Sequence, residues 1–224
     1  MGSTGTMRAL RFHAARDLRV DELEIPAVKP GFVRIKPAFC GICGSDLHEY
    51  EDGPHIIPQK GSPYILTGET LPLTMGHEFS GVVDEVGEGV THVKAGDKVC
   101  VQPTIYDGDC RSCTLGLNNC CDKFGFIGLS GWGGGMAEYT SCPAAAVKKL
   151  ADNVPLDIGA LVEPLAVGWH AVKTSPFKPG DSVLVLGGGP IGLAVVLALK
   201  AQGCENIIVS EVCTSPTQLA TCTD

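Results

Sequence analysis

The chain has 224 residues and 44% hydrophobic content, enough for one large or two modest globular domains. Its net charge of -8 argues against a nucleic-acid partner, because phosphate binding needs clustered Lys and Arg and no such cluster occurs. The start lacks a secretion signal and no apolar run is long enough to span a membrane. Eleven cysteines, several spaced C-x-x-C, then point to metal ligands in a reducing, cytoplasmic setting rather than to disulfides.

Residues 1–6 read as a flexible leader ahead of Met7. From Met7 to about Leu150, short β-prone pieces ("MRALRF", "LRVDELEI", "FVRIKPAF", "FSGVVDEVG", "DKVCVQP") alternate with Gly, Pro and Asp, which predicts a β-barrel-like half. The run "ALVEPLAVGWHAVKT" turns helical, and "SVLVLGGGPIGLAVVLALKAQG" supplies a strand, a glycine turn and a helix before the strand "NIIVSE". The fold class is therefore α+β passing into α/β, with domains expected at 7–172 and 173–211 and the "SPFKPGD" turn marking the border. The last stretch, 212–224, is polar, β-branched and broken by Pro216, and is expected to be a divergent, disordered tail. Two strands and one crossover helix fall short of a doubly wound domain of about six strands, so the expectation is a C-terminally truncated chain with poor hydride transfer.

Several stretches, forming three groups, carry chemistry. "CGICGSDLHEY" places Cys close to Ser, Asp and His, and "MGHEFSG" adds a His-Glu pair. Glu163 sits among apolar residues and Pro in "GALVEPLAVGW", where a carboxylate needs a positive partner and the segment has no Lys or Arg. Cys, His and Glu together make a zinc shell with an open position, in which a bound alcohol loses its proton more readily and can expel a hydride toward a nicotinamide. In "GGGPIG", Gly187, Gly189 and Gly192 have the G-x-G-x-x-G spacing between a strand and a helix, with Pro190 and Ile191 opening that helix toward a pyrophosphate. Glu211 ends the following strand where an acid grips a ribose 2′-OH, which favours NAD over NADP. The third group is the cysteine lobe "DGDCRSCTLGLNNCCD".

"GICGSDLH", "GHEFSGVVDEVG", "LVEPLAVGWHA" and "VLVLGGGPIGL", in this order, resemble the zinc-containing medium-chain alcohol and polyol dehydrogenases. "GSPYILTGETLPLTMGHE" and "CDKFGFIGLSGWGGGMAEY" resemble the 2,3-butanediol dehydrogenase branch; sorbitol and threonine dehydrogenases share most of these motifs. The resemblance implies a GroES-like catalytic barrel followed by an incomplete Rossmann domain, with a catalytic zinc, NAD and a vicinal diol or hydroxyketone such as 2,3-butanediol or acetoin. It implies a homo-oligomer for full-length relatives. It makes Cys43 rather than Cys40 the metal ligand, with His77, and places Glu78 and Glu163 beside the ion, one bound and the other exchanging. It gives Ser45 and His48 a proton relay and Asp46 the orienting of the zinc histidine. In the lobe, Cys110, Cys113 and Cys121 match three of the four ligands of a structural zinc, Asp107 takes the remaining place, and Cys120 competes with Cys121. Two alternatives stay open: a catalytically silent zinc-binding fragment, and a zinc-free quinone reductase of related fold.

Overall fold

Strand β1 (Thr6–Ala14) turns through Ala15 and Arg16 into β2 (Asp17–Glu24), and its Met7, Ala9 and Phe12 are buried. The computed structural model describes residues 5–212. Most of the expected leader and the tail beyond Val212 thus lie outside the described residues, and Thr6 already belongs to β1. On its other edge β1 pairs with β4 (Leu73–Thr74), giving a three-stranded sheet. Phe12, Ile57, Leu73, Met75 and Leu129 pack there into a small core.

The larger sheet is built on β3 (Phe32–Gly41) and β5 (Glu78–Val86), flanked by β6 (Lys98–Val101), β9 (Thr140–Pro143) and β10 (Val147–Lys149) in the order β10-β6-β5-β3-β9. Val33, Ile35, Phe79, Val83, Val99, Val101 and Val147 form its core, each such side chain stabilising by about 1.5–3 kcal/mol when fully buried. The β3–β5 register slips at Pro37, which has no N–H to give the ladder. Arg34 is buried in this sheet because its guanidinium reaches Asp84 at 2.8 Å and Glu85 at 2.6 Å. A short ribbon, β7 (Thr104–Ile105) with β8 (Gly125–Phe126), brackets the cysteine lobe and its one-turn helix α2 (Arg111–Thr114).

Helix α1 (Gly44–Asp52) follows β3 directly, with Cys43 at its N-cap. The Asp46 carboxylate accepts the Cys43 N–H at 2.9 Å, closing the first turn. At the other end Glu49, 1% exposed, accepts the N–H groups of His55 (3.0 Å), Ile56 (2.5 Å) and Ile57 (3.4 Å). The short helix α3 (Leu156–Ala160) packs on β5, where Ser80 donates to the Leu156 carbonyl.

The chain divides into units at Ala160/Leu161, ahead of the 172/173 border expected from sequence. The reason is α4 (Val162–Thr174), which packs on α5 (Pro190–Ala201) instead of ending the β-rich half. Gly168 permits this, since a Cβ there would lie 2.7 Å from the Ala194 carbonyl carbon. In this second unit β11 (Ser182–Leu186) and β12 (Asn206–Ser210) run parallel around α5, and Val172, Val185, Ala198, Leu199 and Cys204 form the core. The other face of the pair is open: Leu184 and Ile208 are each 58% exposed and Leu186 78%. Among the described residues no helix is long and apolar enough to cross a membrane.

Candidate metal and dinucleotide sites

Strand pairing brings the first cluster together. Gly41 and Glu78 are cross-strand partners on β3 and β5, Cys43 follows two residues after Gly41, and His77 precedes Glu78. Ligand atoms of Cys43, His77 and Glu78 all lie within 4.8 Å of one another. Gly41 is what makes room, because a Cβ at that position would overlap the Glu78 carboxylate. Cys40 lies outside the cluster; burial pushes its thiol up to about 12, and it donates to the Gly41 carbonyl at 3.4 Å.

His77 is held between two neighbours. Its Nδ1 lies 3.6 Å from Asp46 Oδ1 and its Nε2 3.4 Å from Ser45 Oγ. Burial works against the imidazolium, but the adjacent Asp46 and Cys43 outweigh it and push His77 up to about 10. Such a rise marks a buried pocket where negative groups converge and positive charge is favoured. His77 Nδ1 and Asp46 Oδ1 are also buried without a hydrogen-bond partner. One thiolate, one imidazole and one carboxylate in this setting fit a zinc ion in ligand type and in charge. Phe126 packs its ring 6.0 Å from that of His77. His48 lies one turn from Ser45 on α1 and so shares its helix face.

In the lobe, ligand atoms of Asp107, Cys110, Cys113 and Cys121 come within the same 4.8 Å limit. Backbone N–H groups of Cys110 and Asp109, with Lys123, hold the Asp107 carboxyl well below the usual carboxylate range. Backbone hydrogen bonds lower the Cys110 thiol, while burial and the adjacent anions push Cys113 up to about 12. Three thiols and a carboxylate fit a closed, structural zinc. Cys120 is exposed and outside this cluster.

The glycine turn belongs to the second unit. Gly187 has φ of 95°, a conformation in which glycine is at ease. Gly189 caps α5, Pro190 takes its first position with Ile191 next, and a Cβ on Gly192 would strike the Gly187 carbonyl. Glu211 reaches back and accepts the Gly188 N–H at 2.5 Å. Glu163 lies in the first turn of α4.

Residues 29–152 match the model of the alcohol dehydrogenase GroES-like domain. The chain belongs to this family. It is 48% identical over 92% of its length to an (R,R)-butanediol dehydrogenase of Bacillus subtilis (strain 168), and spans 58% of that relative. A crystal structure of 2R,3R-butanediol dehydrogenase from Bacillus subtilis matches 94% of this chain and 64% of its own at 44% identity and a TM-score of 0.86. An alcohol dehydrogenase from E. coli CFT073 complexed with NADH matches 93% of this chain and 58% of its own at 33% identity, with a TM-score of 0.81. The GroES-like β half followed by a Rossmann-type βαβ unit is thus the fold of this chain.

Sequence reasoning missed Gly41, Lys123 and Glu49. Gly41 had a faint signal as the glycine between two cysteines in "CGIC". The other two act through contacts that no local pattern announces.

Proposed function

We propose that this GroES-like chain serves an NAD-dependent oxidoreductase that interconverts vicinal diols and hydroxyketones of the 2,3-butanediol and acetoin class. The convergence of Cys43, His77 and Glu78 beside Ser45 carries the reading. These three residues would hold a catalytic zinc, with Glu163 as the further acid proposed from the sequence. A zinc ion bound there would supply Lewis acidity to a substrate hydroxyl.

The chain's own residues supply the rest. Asp46, facing His77 Nδ1, keeps the proton on that nitrogen and leaves Nε2 for the ion. Ser45 would take the hydroxyl proton and His48, on the same helix face, would pass it to solvent; a bound nicotinamide would supply the hydride acceptor. The products are a hydroxyketone, NADH and one proton. Gly187, Gly189, Pro190, Ile191 and Gly192 would receive the pyrophosphate, and Glu211 the ribose 2′-OH, selecting NAD. Asp107, Cys110, Cys113 and Cys121 would hold a second, structural zinc. A reducing cytoplasmic setting belongs to the same proposal, and a homo-oligomer is proposed for full-length relatives of this chain.

A second reading, a catalytically silent zinc-binding chain, is favoured by the exposure of Leu184, Leu186 and Ile208 on the cofactor-binding sheet. Adding 2,3-butanediol and NAD to the zinc-loaded chain and following NADH absorbance decides between the two. Turnover that a chelator abolishes supports the first reading; zinc-loaded protein without turnover supports the silent one.

A further inference from the structure

Asp107 stands where a fourth thiol would complete the lobe, and its two oxygens differ. Oδ1 accepts the N–H groups of Asp109 and Cys110, each at 3.1 Å. Oδ2 is buried and takes no backbone N–H; it faces the Lys123 ammonium in an ion pair at 3.2 Å. The Asp107 side chain is 4% exposed and that of Lys123 39%. The carboxylate is therefore compensated in charge, while one oxygen keeps a lone pair free for a cation.

Lys123 is pinned through its main chain. Its N–H donates to Cys121 Sγ at 3.3 Å, and its carbonyl accepts the Tyr64 hydroxyl at 2.5 Å. Gly125 admits the Tyr64 ring, from which a Cβ would stand only 2.6 Å away. With the backbone fixed, only the half-exposed lysine stem can swing.

We propose that Lys123 is an internal rival of the second metal ion. Its ammonium balances Asp107 in the ion-free lobe and gives up or shares that oxygen when a divalent cation joins Cys110, Cys113 and Cys121. The lobe then exchanges its ion instead of keeping it permanently. The proposal rests on the reading of the lobe as a second metal centre. A positive charge a few Å from a divalent ion opposes binding, and because the stem can retreat into solvent the opposition is trimmed to about tenfold in affinity.

The test is zinc affinity by chelator competition on the whole chain carrying Cys43→Ser, so that the first cluster does not contribute. Thiolate-to-cobalt absorbance on Co(II) loading reports the same lobe independently. Lys123→Met should bind zinc about tenfold more tightly and release it more slowly, while Lys123→Arg, which keeps the charge, should stay near the parent. With Asp107→Asn in place, the Lys123→Met gain should vanish. Equal or weaker binding in Lys123→Met, or an undiminished gain beside Asp107→Asn, overturns the role of Lys123 while the lobe still binds one ion. Failure of every variant to bind an ion at the lobe overturns the second-centre reading and the proposal with it. Ion-free thermal unfolding of Lys123→Met and Lys123→Arg verifies that both variants fold.

Discussion

The two units hold their chemistry in opposite ways. In the first, Cys43 from the start of α1 and His77 and Glu78 from the start of β5 meet only because β3 and β5 pair, so the cluster depends on the whole sheet. In the second, the glycine turn, the α5 N-terminus and Glu211 are joined by one strand–helix–strand passage. The first unit buries Val33, Ile35 and Phe79 almost completely, whereas the second leaves Leu184, Leu186 and Ile208 in water. The proposed metal site, assembled at a distance, therefore sits on the well-cored unit, and the proposed cofactor turn, made from local backbone, sits on the lightly cored one. The turn tolerates a thin core because its shape comes from glycine and one helix end.

The largest effect is expected from Cys43→Ser. Serine is a good N-cap, so α1 should persist and circular dichroism should stay unchanged. Bound zinc should fall by one equivalent per chain and any zinc-dependent NADH formation should disappear with it; retained metal would break the assignment of Cys43. A smaller effect is expected from Gly192→Ala, whose methyl would strike the Gly187 carbonyl. NADH binding, followed by fluorescence, should weaken by about tenfold while zinc content holds, which corresponds to about 1.4 kcal/mol. A parallel loss of zinc would show that the units are not independent in the way the contrast requires.

The smallest expected effect concerns Glu69. Burial raises its carboxyl above the usual range, although the carboxylate accepts the Trp132 N–H at 2.7 Å. A folded-state value above the unfolded one means that its contribution to stability is complete below the unfolded value and is lost as pH rises through the folded value. Glu69→Gln keeps an oxygen for Trp132. It should raise Tm by about 2 °C at pH 7 and leave it unchanged below about pH 4, measured by calorimetry in a pH series.

What the sequence disclosed follows the same division. Gly187, Gly189, Gly192 and Glu211 were legible because their geometry is local: a buried run, a glycine spacing and an acid at the next strand end. The β-rich half was legible from its short apolar runs, and α4 from "LVEPLAVGWHA". Helix α1 was not assigned as an element, because "GSDLHEYED" is polar and owes its shape to the Asp46 cap and the Glu49 anchor. The unit border was displaced because the packing of Gly168 on Ala194 is a tertiary fact. Likewise, Tyr64 and Lys123 meet across 59 residues, beyond any periodicity.

The Glu49 carboxylate has a consequence for how still the first cluster is kept. Nine residues make a helix too brief to survive by itself, so α1 behaves as a strut whose far end is bolted to the 55–57 backbone. A displacement of that backbone would be carried along the helix axis toward the sulfur of Cys43. An acid outside the Cys43, His77 and Glu78 cluster would thereby set how precisely the thiol is aimed.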